Sequence, residues 1–96
     1  MPFHFMVRFE PAAGKEAAFR EELKRVVDAT RADQTCLAVE AFASLREPTV
    51  FAIHSVWRDE AAFERHAADP DTVRFIEAVK GLLTHPIQGI RAHENP

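Results

Sequence analysis

The side chains best suited to chemistry in this chain are those of Trp57 and His66. An imidazole titrates near neutral pH, so a histidine can accept a proton from a phenolic hydroxyl and return it. An indole offers a broad surface on which an aromatic ring packs. The pair predicts a site that holds an aromatic substrate at Trp57 and uses His66 as acid or base. A structural alternative stays open for each: a core tryptophan, and a histidine hydrogen-bonded to the backbone.

The other histidines and the single cysteine predict no second catalytic centre. His4 and His54 suggest a metal site, but zinc and iron sites generally need three protein ligands and no carboxylate accompanies this pair at a clear spacing. We therefore expect a polar pair. Cys36 has no second cysteine nearby, so we expect a small buried side chain rather than a nucleophile. The sequence assigns no role to His85 or His93.

Composition limits the functions open to the chain. A length of 96 residues suits one domain over 1–96, and 47% apolar residues leave surface for a pocket or a partner. The formal net charge is −3 with both signs interspersed, which argues against a nucleic-acid partner. The chain has no charged and apolar leader and no apolar run of about 18 residues, so we expect no membrane segment. One cysteine favours a reducing, cytoplasmic location.

Four segments have the pattern of strands. In the first, apolar side chains recur every second residue, which is typical of a strand with one buried face. The second and third are joined by a short polar stretch that predicts an antiparallel hairpin. The apolar positions of the first are Phe3, Phe5, Val7 and Phe9, and the predicted strands cover 3–9, 36–43, 50–58 and 87–93.

Two regions between these strands have the pattern of helices. The first covers 15–32, with apolar residues at i, i+4, i+7 and i+8. Asp59 can cap the second helix, and Pro70 interrupts it near position 68, so a further helical piece is expected from about 72 to 83. The apolar stripes consist of Phe19, Leu23, Val26 and Val27 in the first region, and Val73, Phe75, Ile76, Val79 and Leu83 in the last.

The order of elements predicts an α+β fold of ferredoxin-like topology, β-α-β-β-α-β. Right-handed crossovers place both helical regions on one face of a four-stranded antiparallel sheet. The opposite face is left uncovered, so we expect a homodimer in which two sheets pack together. Strand parity puts Trp57 on the helix side, and His4 and His54 on the dimer-facing side.

The same parity defines a predicted substrate pocket between the sheet and the helices. His66 follows Phe63 by three residues and therefore shares the inward side of its helix. The predicted substrate-binding residues are Phe51, Ile53, Ser55, Phe63 and Phe75. The predicted core comprises Phe19, Leu23, Val26, Phe63, Phe75, Ile76 and Val79 packed against Phe5, Val7, Phe51 and Ile53.

Three segments resemble motifs of the antibiotic biosynthesis monooxygenase family of dimeric α/β barrels. Segment 14–19, GKEAAF, is similar to the family's Pro-Gly-Lys-Glu-x-x-Phe entry to the first helix. Segment 30–37, TRADQTCL, resembles its Ser-Arg-x-Glu-x-Gly-Cys-Leu passage into the second strand. Segment 48–66, PTVFAIHSVWRDEAAFERH, resembles its run of Pro-x-x-Phe, Glu-x-Trp, Asp-Glu-Ala and His. With the order of elements, the resemblance covers nearly the whole chain.

The resemblance implies a cofactor-independent monooxygenase or quinol oxidase, without a metal, that acts on an electron-rich aromatic molecule and molecular oxygen. In such an enzyme Trp57 packs on the substrate ring and His66 transfers the proton. Three alternatives stay open. They are a haem-binding or haem-degrading enzyme with His66 as the axial ligand, a noncatalytic dimeric small-molecule-binding module, and a cofactor-free isomerase.

The chain departs from the family pattern at several positions. Ser55 stands where Glu is usual, His54 and Val39 stand where Tyr is common, and Thr35 replaces Gly. The family's Asn near the Trp is missing, since the only Asn of the chain is Asn95. The missing Asn weakens the haem alternative, and the other departures allow a module that has lost its chemistry.

Overall fold

The computed structural model describes residues 1–95, which contain four strands and three helices. Every predicted strand and helix is present, with ends that differ by up to three residues from the predicted ones. None of the helices in this part of the chain has the length and apolar character needed to cross a membrane. The elements are β1 (Phe3–Phe9), α1 (Glu16–Arg31), β2 (Cys36–Ala43), β3 (Phe51–Trp57), α2 (Glu60–Ala67), α3 (Pro70–Lys80) and β4 (Gln88–Ala92).

The strands form an antiparallel sheet in the order β2-β3-β1-β4, which confirms the ferredoxin-like topology. In the central strand β1, Phe5 lies opposite Ser55 of β3 and opposite Arg91 of β4. Directly paired residues point to the same side of a sheet. Three neighbouring strands therefore contribute side chains to the space between the sheet and the helices.

The second helical region consists of two helices, and α3 begins earlier than the sequence pattern predicts. It starts at Pro70 rather than near 72, because the Asp69 carboxylate caps it by accepting a hydrogen bond from the Asp71 amide at 2.9 Å. Proline suits this first position, since it lacks the N–H that the first turn leaves unpaired. The helix ends at Lys80, short of the predicted end at 83.

Aromatic side chains fill the core between the sheet and the helices. Phe19 is fully buried, and its ring centroid lies 5.3 Å from that of Phe9 and 5.2 Å from that of Phe51. A second cluster forms around Trp57 and Phe63. The predicted core residues are buried or partly buried, but Val73 of the predicted stripe on α3 is 47% exposed, so the buried face of α3 is narrower than the sequence pattern predicts.

The edge strand β4 passes close under a side chain of β1 at Gly89. A Cβ atom on Gly89 would lie 2.5 Å from Cζ of Phe5. Real Cβ atoms do not approach other heavy atoms so closely, so a larger residue there requires the ring to move. Glycine at 89 thus lets the Phe5 ring lie over β4, where its centroid is 4.5 Å from that of Phe63.

The sheet face opposite the helices carries exposed apolar side chains on three strands. Met6, Phe42 and Ile90 are 40%, 55% and 61% exposed. Met6 and Ile90 are direct partners across β1 and β4. Single exposed apolar residues are ordinary, but several on one face form the kind of patch that mediates contact between proteins.

Candidate functional site

A cavity of about 250 Å³ lies between the sheet and the helices. Its wall is mostly aromatic and aliphatic and includes side chains from β1, β2, β3 and all three helices. Drug-sized ligands occupy pockets of about 300–1,000 Å³, so this cavity suits a smaller molecule of about one or two rings. The polar residues in its wall are Thr30, Ser55, His66, Thr72 and Arg91.

The structure brings most of the predicted site residues to this cavity, but not Trp57 and Phe51. Trp57 is 0% exposed and packs against Phe63 of α2, whereas Phe51 is 2% exposed and packs against Phe19 of α1. Both side chains lie on the helix side of β3, as strand parity predicts. However, helices cover the two ends of this strand, and only its middle faces the cavity. The predicted residues in the wall are Ile53, Ser55, Phe63, His66 and Phe75.

His66 is held between the indole of Trp57 and two polar side chains. The ring centroids of His66 and Trp57 are 4.5 Å apart. The Nε2 atom is 3.2 Å from Thr72 Oγ1, and Nδ1 is 4.0 Å from Asp33 Oδ2. The tautomer protonated on Nδ1 suits both neighbours, because it points N–H at the carboxylate and leaves Nε2 to accept from the threonine hydroxyl.

Burial favours the neutral form of the His66 imidazole, which is the form that can act as a base. It lowers the pKa of His66 below its ordinary value, and the carboxylates of Asp33 and Asp69 oppose this shift. The imidazole is therefore neutral at neutral pH, which is the form that accepts a proton.

The carboxylate that faces His66 is fixed by its own loop. Asp33 Oδ1 accepts hydrogen bonds from the backbone N–H of Thr35 at 2.9 Å and from the Thr35 hydroxyl at 2.7 Å. These bonds lower the pKa of Asp33, so the group is charged at neutral pH. Its distance of 4.0 Å from the imidazole is too long for a hydrogen bond, so Asp33 acts on His66 through its charge.

Replacing Asp33 by Asn is expected to lower the pKa of His66 further. The negative charge of Asp33 stabilises the imidazolium, so its loss shifts the balance toward the neutral ring and moves the titration to lower pH. An NMR titration of the His66 ring protons, assigned with a His66→Gln variant, measures this shift. Asp28→Asn is the matched control, because Asp28 is exposed and pairs with Lys24. A titration unchanged in Asp33→Asn would contradict the proposed charge contact.

Trp57 is linked to the cavity through Ser55. The indole Nε1 donates a hydrogen bond to Ser55 Oγ at 2.9 Å, and both residues are buried. A buried indole N–H needs an acceptor, which Ser55 supplies from two residues earlier on the same strand. Trp57 therefore supports two polar groups of the cavity, Ser55 by this bond and His66 by ring contact.

Arg91 lies at the edge of the cavity and connects β4 to α2. Its guanidinium is 5.2 Å from the ring centroid of Phe63 and forms ion pairs with Glu64 and Glu60. Hydrogen bonds to Glu64 and then Glu60 raise the pKa of Arg91, so it stays charged. Exposed ion pairs contribute little stability, so the main effect of these contacts is to hold Arg91 in place.

Comparison with known proteins identifies the family. A model of the family described as antibiotic biosynthesis monooxygenase matches residues 2–78. The chain belongs to this family. The match supports a general monooxygenase-type function, and no curated protein sequence matches the chain significantly.

Solved structures show the same fold as this antibiotic biosynthesis monooxygenase family member. Rv0793 from Mycobacterium tuberculosis has a TM-score of 0.94 and 22% identity, covering 100% of this chain and 97% of that protein. PA3566 from Pseudomonas aeruginosa has a TM-score of 0.90 and 25% identity, covering 99% and 95%. A structure described as an antibiotic biosynthesis monooxygenase has a TM-score of 0.92 and 18% identity, covering 98% and 99%.

The sequence did not predict four polar residues that lie in or beside the cavity of this family member. Asp33 had a signal, since it stands in segment 30–37 where the motif of the antibiotic biosynthesis monooxygenases has Glu. The others had none, because each comes from a different element and only the folded chain brings them together. The four residues are Thr30, Asp33, Thr72 and Arg91.

His4 and His54 lie on the sheet face away from the cavity, as strand parity predicts. His4 Nδ1 is 2.9 Å from His54 Nε2, and the two rings are stacked with centroids 5.2 Å apart. Glu94 Oε1 lies 3.5 Å from His4 Nε2. Within residues 1–95, no group of three or more His, Cys, Asp or Glu side chains is arranged to hold a metal ion.

The remaining sequence candidates lie outside the cavity. Burial raises the pKa of the Cys36 thiol, which disfavours the reactive thiolate. Its Sγ donates a hydrogen bond to the Ala38 carbonyl at 3.3 Å. His85 and His93 are exposed on either side of β4.

Proposed function

We propose that this chain is a cofactor-independent monooxygenase that oxidises a small electron-rich aromatic compound. The observation that carries the proposal is the position of the His66 imidazole in the wall of a mostly apolar cavity, where burial lowers its pKa and favours the neutral ring. A base in such a place can take a proton from a bound phenol or from an activated ring carbon. The resulting anion is richer in electrons than the neutral molecule and reacts more readily with molecular oxygen.

The reaction needs no outside reductant, because the substrate supplies all the electrons. In the keto tautomer of a bound phenol one ring carbon carries two hydrogens, and this carbon becomes a carbonyl carbon. One atom of O₂ forms the new C=O bond, and the other leaves as water with the two hydrogens. His66 accepts the first proton and returns it to the departing oxygen, so the imidazole is neutral again at the end of the cycle.

The haem alternative has less support from the geometry. Axial ligation uses a free imidazole nitrogen, whereas Nε2 of His66 contacts the Thr72 hydroxyl and Nδ1 faces Asp33. A cavity of about 250 Å³ is also below the range for drug-sized ligands. Because ligation uses only one ring nitrogen, a porphyrin bound at Nε2 would require the Thr72 contact to break and the cavity to enlarge, whereas Nδ1 would still face Asp33.

Oxygen consumption tests the proposal directly. The purified protein is offered a panel of one- and two-ring hydroquinones and phenols, with and without added haem. Protein-dependent oxygen uptake without haem, with one oxygen atom from ¹⁸O₂ in the product, supports the proposal. Uptake only with haem supports the haem alternative, and binding without uptake supports a noncatalytic module.

We propose further that the protein is a homodimer joined by the sheet face opposite the cavity. The exposed Met6, Phe42 and Ile90 lie on that face, and the stacked pair of His4 and His54 lies among them. A second copy offers the same apolar surface, so packing two sheets buries both patches. The cytoplasmic location expected from the sequence stays a prediction, which cell fractionation tests.

Replacing Ile90 by Asp is expected to convert the dimer to a monomer. The change puts two carboxylates into the apolar interface, one from each copy, and should raise the dissociation constant at least about 100-fold. Light scattering at micromolar concentration distinguishes a 10.8 kDa chain from its dimer. Val73→Asp is the control, because Val73 is 47% exposed on α3 and lies outside this face. An Ile90→Asp variant that remains dimeric would rule out this face as the interface.

A further inference from the structure

The Ser55 hydroxyl has an unused hydrogen in the wall of the cavity. Ser55 is 5% exposed. Among residues 1–95, the only hydrogen-bond partner of its Oγ is Trp57 Nε1. An indole N–H only donates, so the oxygen of Ser55 is the acceptor. A hydroxyl also carries one hydrogen of its own, and that hydrogen has no acceptor among these residues.

The bond from Trp57 makes this hydroxyl a better donor. A hydroxyl that accepts a hydrogen bond is polarised and donates its own hydrogen more strongly. Trp57 is 0% exposed and packed against Phe63, so it cannot turn away to release the bond. A buried donor without an acceptor is costly, and a ligand oxygen in the cavity removes that cost.

The other hydroxyls in the cavity wall are already engaged. Thr30, also 5% exposed, donates from Oγ1 to the Val26 carbonyl at 2.7 Å within its own helix. The Thr72 hydroxyl contacts the imidazole of His66 at 3.2 Å. Ser55 is therefore the hydroxyl that can donate to a ligand without losing a bond inside the protein.

We infer that Ser55 donates a hydrogen bond to a carbonyl oxygen of the ligand and selects ring compounds that carry one. The inference rests on the proposed function, since it takes the cavity to hold a ring compound. Both Ser55 and His66 contact the indole of Trp57, so the donor and the base lie at the same end of the cavity. The ligand oxygen that develops carbonyl character during oxidation would be held there.

Binding of a matched pair of probes tests the inference. 1-Tetralone and tetralin share one bicyclic skeleton, but only the ketone has an acceptor oxygen. Trp57 is the only tryptophan of the chain, so its indole N–H gives a single NMR signal next to the site. Ser55→Ala should weaken tetralone binding about tenfold, the usual effect of one hydrogen bond, and leave tetralin binding within about twofold.

Two further measurements keep the test decisive. Thr30→Val removes a hydroxyl of the wall that is bonded to its own helix, and it should leave the ratio of the two affinities unchanged. If Ser55→Ala does not fold, the wild-type protein still answers the question. Tetralone should then shift the Trp57 indole signal further downfield than tetralin, because a donating Ser55 is a stronger acceptor.

The outcomes separate this inference from the proposed function. If both probes bind and Ser55→Ala changes neither affinity, or both equally, Ser55 is not the donor and the aromatic cavity still stands. In the wild-type protein, equal shifts of the indole signal would also overturn the inference. If neither probe binds the wild-type protein, the proposed aromatic site is wrong and the inference falls with it.

Discussion

His66→Ala is expected to lower the turnover number about 100- to 10,000-fold, the usual range for loss of a general acid or base. The imidazole is the neutral, cavity-facing group held by Trp57, Thr72 and Asp33. Its side chain is partly buried, and its removal leaves the aromatic core around Trp57 and Phe63 in place. Steady-state kinetics on a substrate found by oxygen uptake measure the effect, and light scattering checks the dimer.

Two controls make the His66 result specific. His66→Gln keeps a polar side chain of similar reach but cannot take up a proton at neutral pH, so its turnover should fall nearly as far as that of the alanine variant. His85→Ala removes an exposed imidazole and should leave turnover unchanged. Wild-type turnover in a folded, dimeric His66→Ala protein would show that His66 is not the base.

Phe19→Ala is expected to lower the free energy of unfolding by about 3–5 kcal/mol, the usual cost of removing a buried phenylalanine ring. Phe19 is 0% exposed and contacts Phe9 and Phe51, so its loss leaves a cavity bounded by two rings that cannot close it fully. Small domains have only about 5–15 kcal/mol of total stability, so this change approaches the limit for folding.

Urea unfolding followed by circular dichroism measures the stability of the Phe19→Ala variant. Leu45→Ala is the matched control, because Leu45 is fully exposed in the loop between β2 and β3. Its stability should stay within about 0.5 kcal/mol of the wild type. Equal stability of the two variants would mean that the inward face of α1 is wrongly assigned.

The strands and helices could be predicted from the spacing of their apolar residues. A spacing of two residues puts apolar side chains on one face of a strand, and a spacing of three or four puts them on one face of a helix. Phe5 and Val7 on β1 and Phe19 on α1 follow these spacings, and each points to the predicted side. The predicted start of α3 was wrong, because Pro70 was interpreted as a break between helices, whereas it is the first residue of α3. An Asp before a Pro fits a cap as well as a loop, and the fold decides between them.

The candidate site could be predicted only in part. Parity and helical spacing identify the faces that carry Ser55 and His66, but not how deeply each side chain lies. Trp57 was expected to touch the substrate ring, but it is covered by α2, outside the cavity wall, and contacts the cavity residues Ser55 and His66. Asp33 lies in the loop after α1 and His66 lies near the end of α2. No local sequence pattern shows that residues so far apart in the chain come close together in the fold.

The close passage of β4 under Phe5 has a consequence for engineering this scaffold. Gly89 does not line the cavity, but the ring above it does. A side chain introduced at 89 must displace that ring, because its Cβ would lie 2.5 Å from Cζ of Phe5. The shape of the cavity is therefore adjustable from an edge-strand position outside its wall, which makes residue 89 a handle for reshaping the cavity without replacing Ser55 or His66.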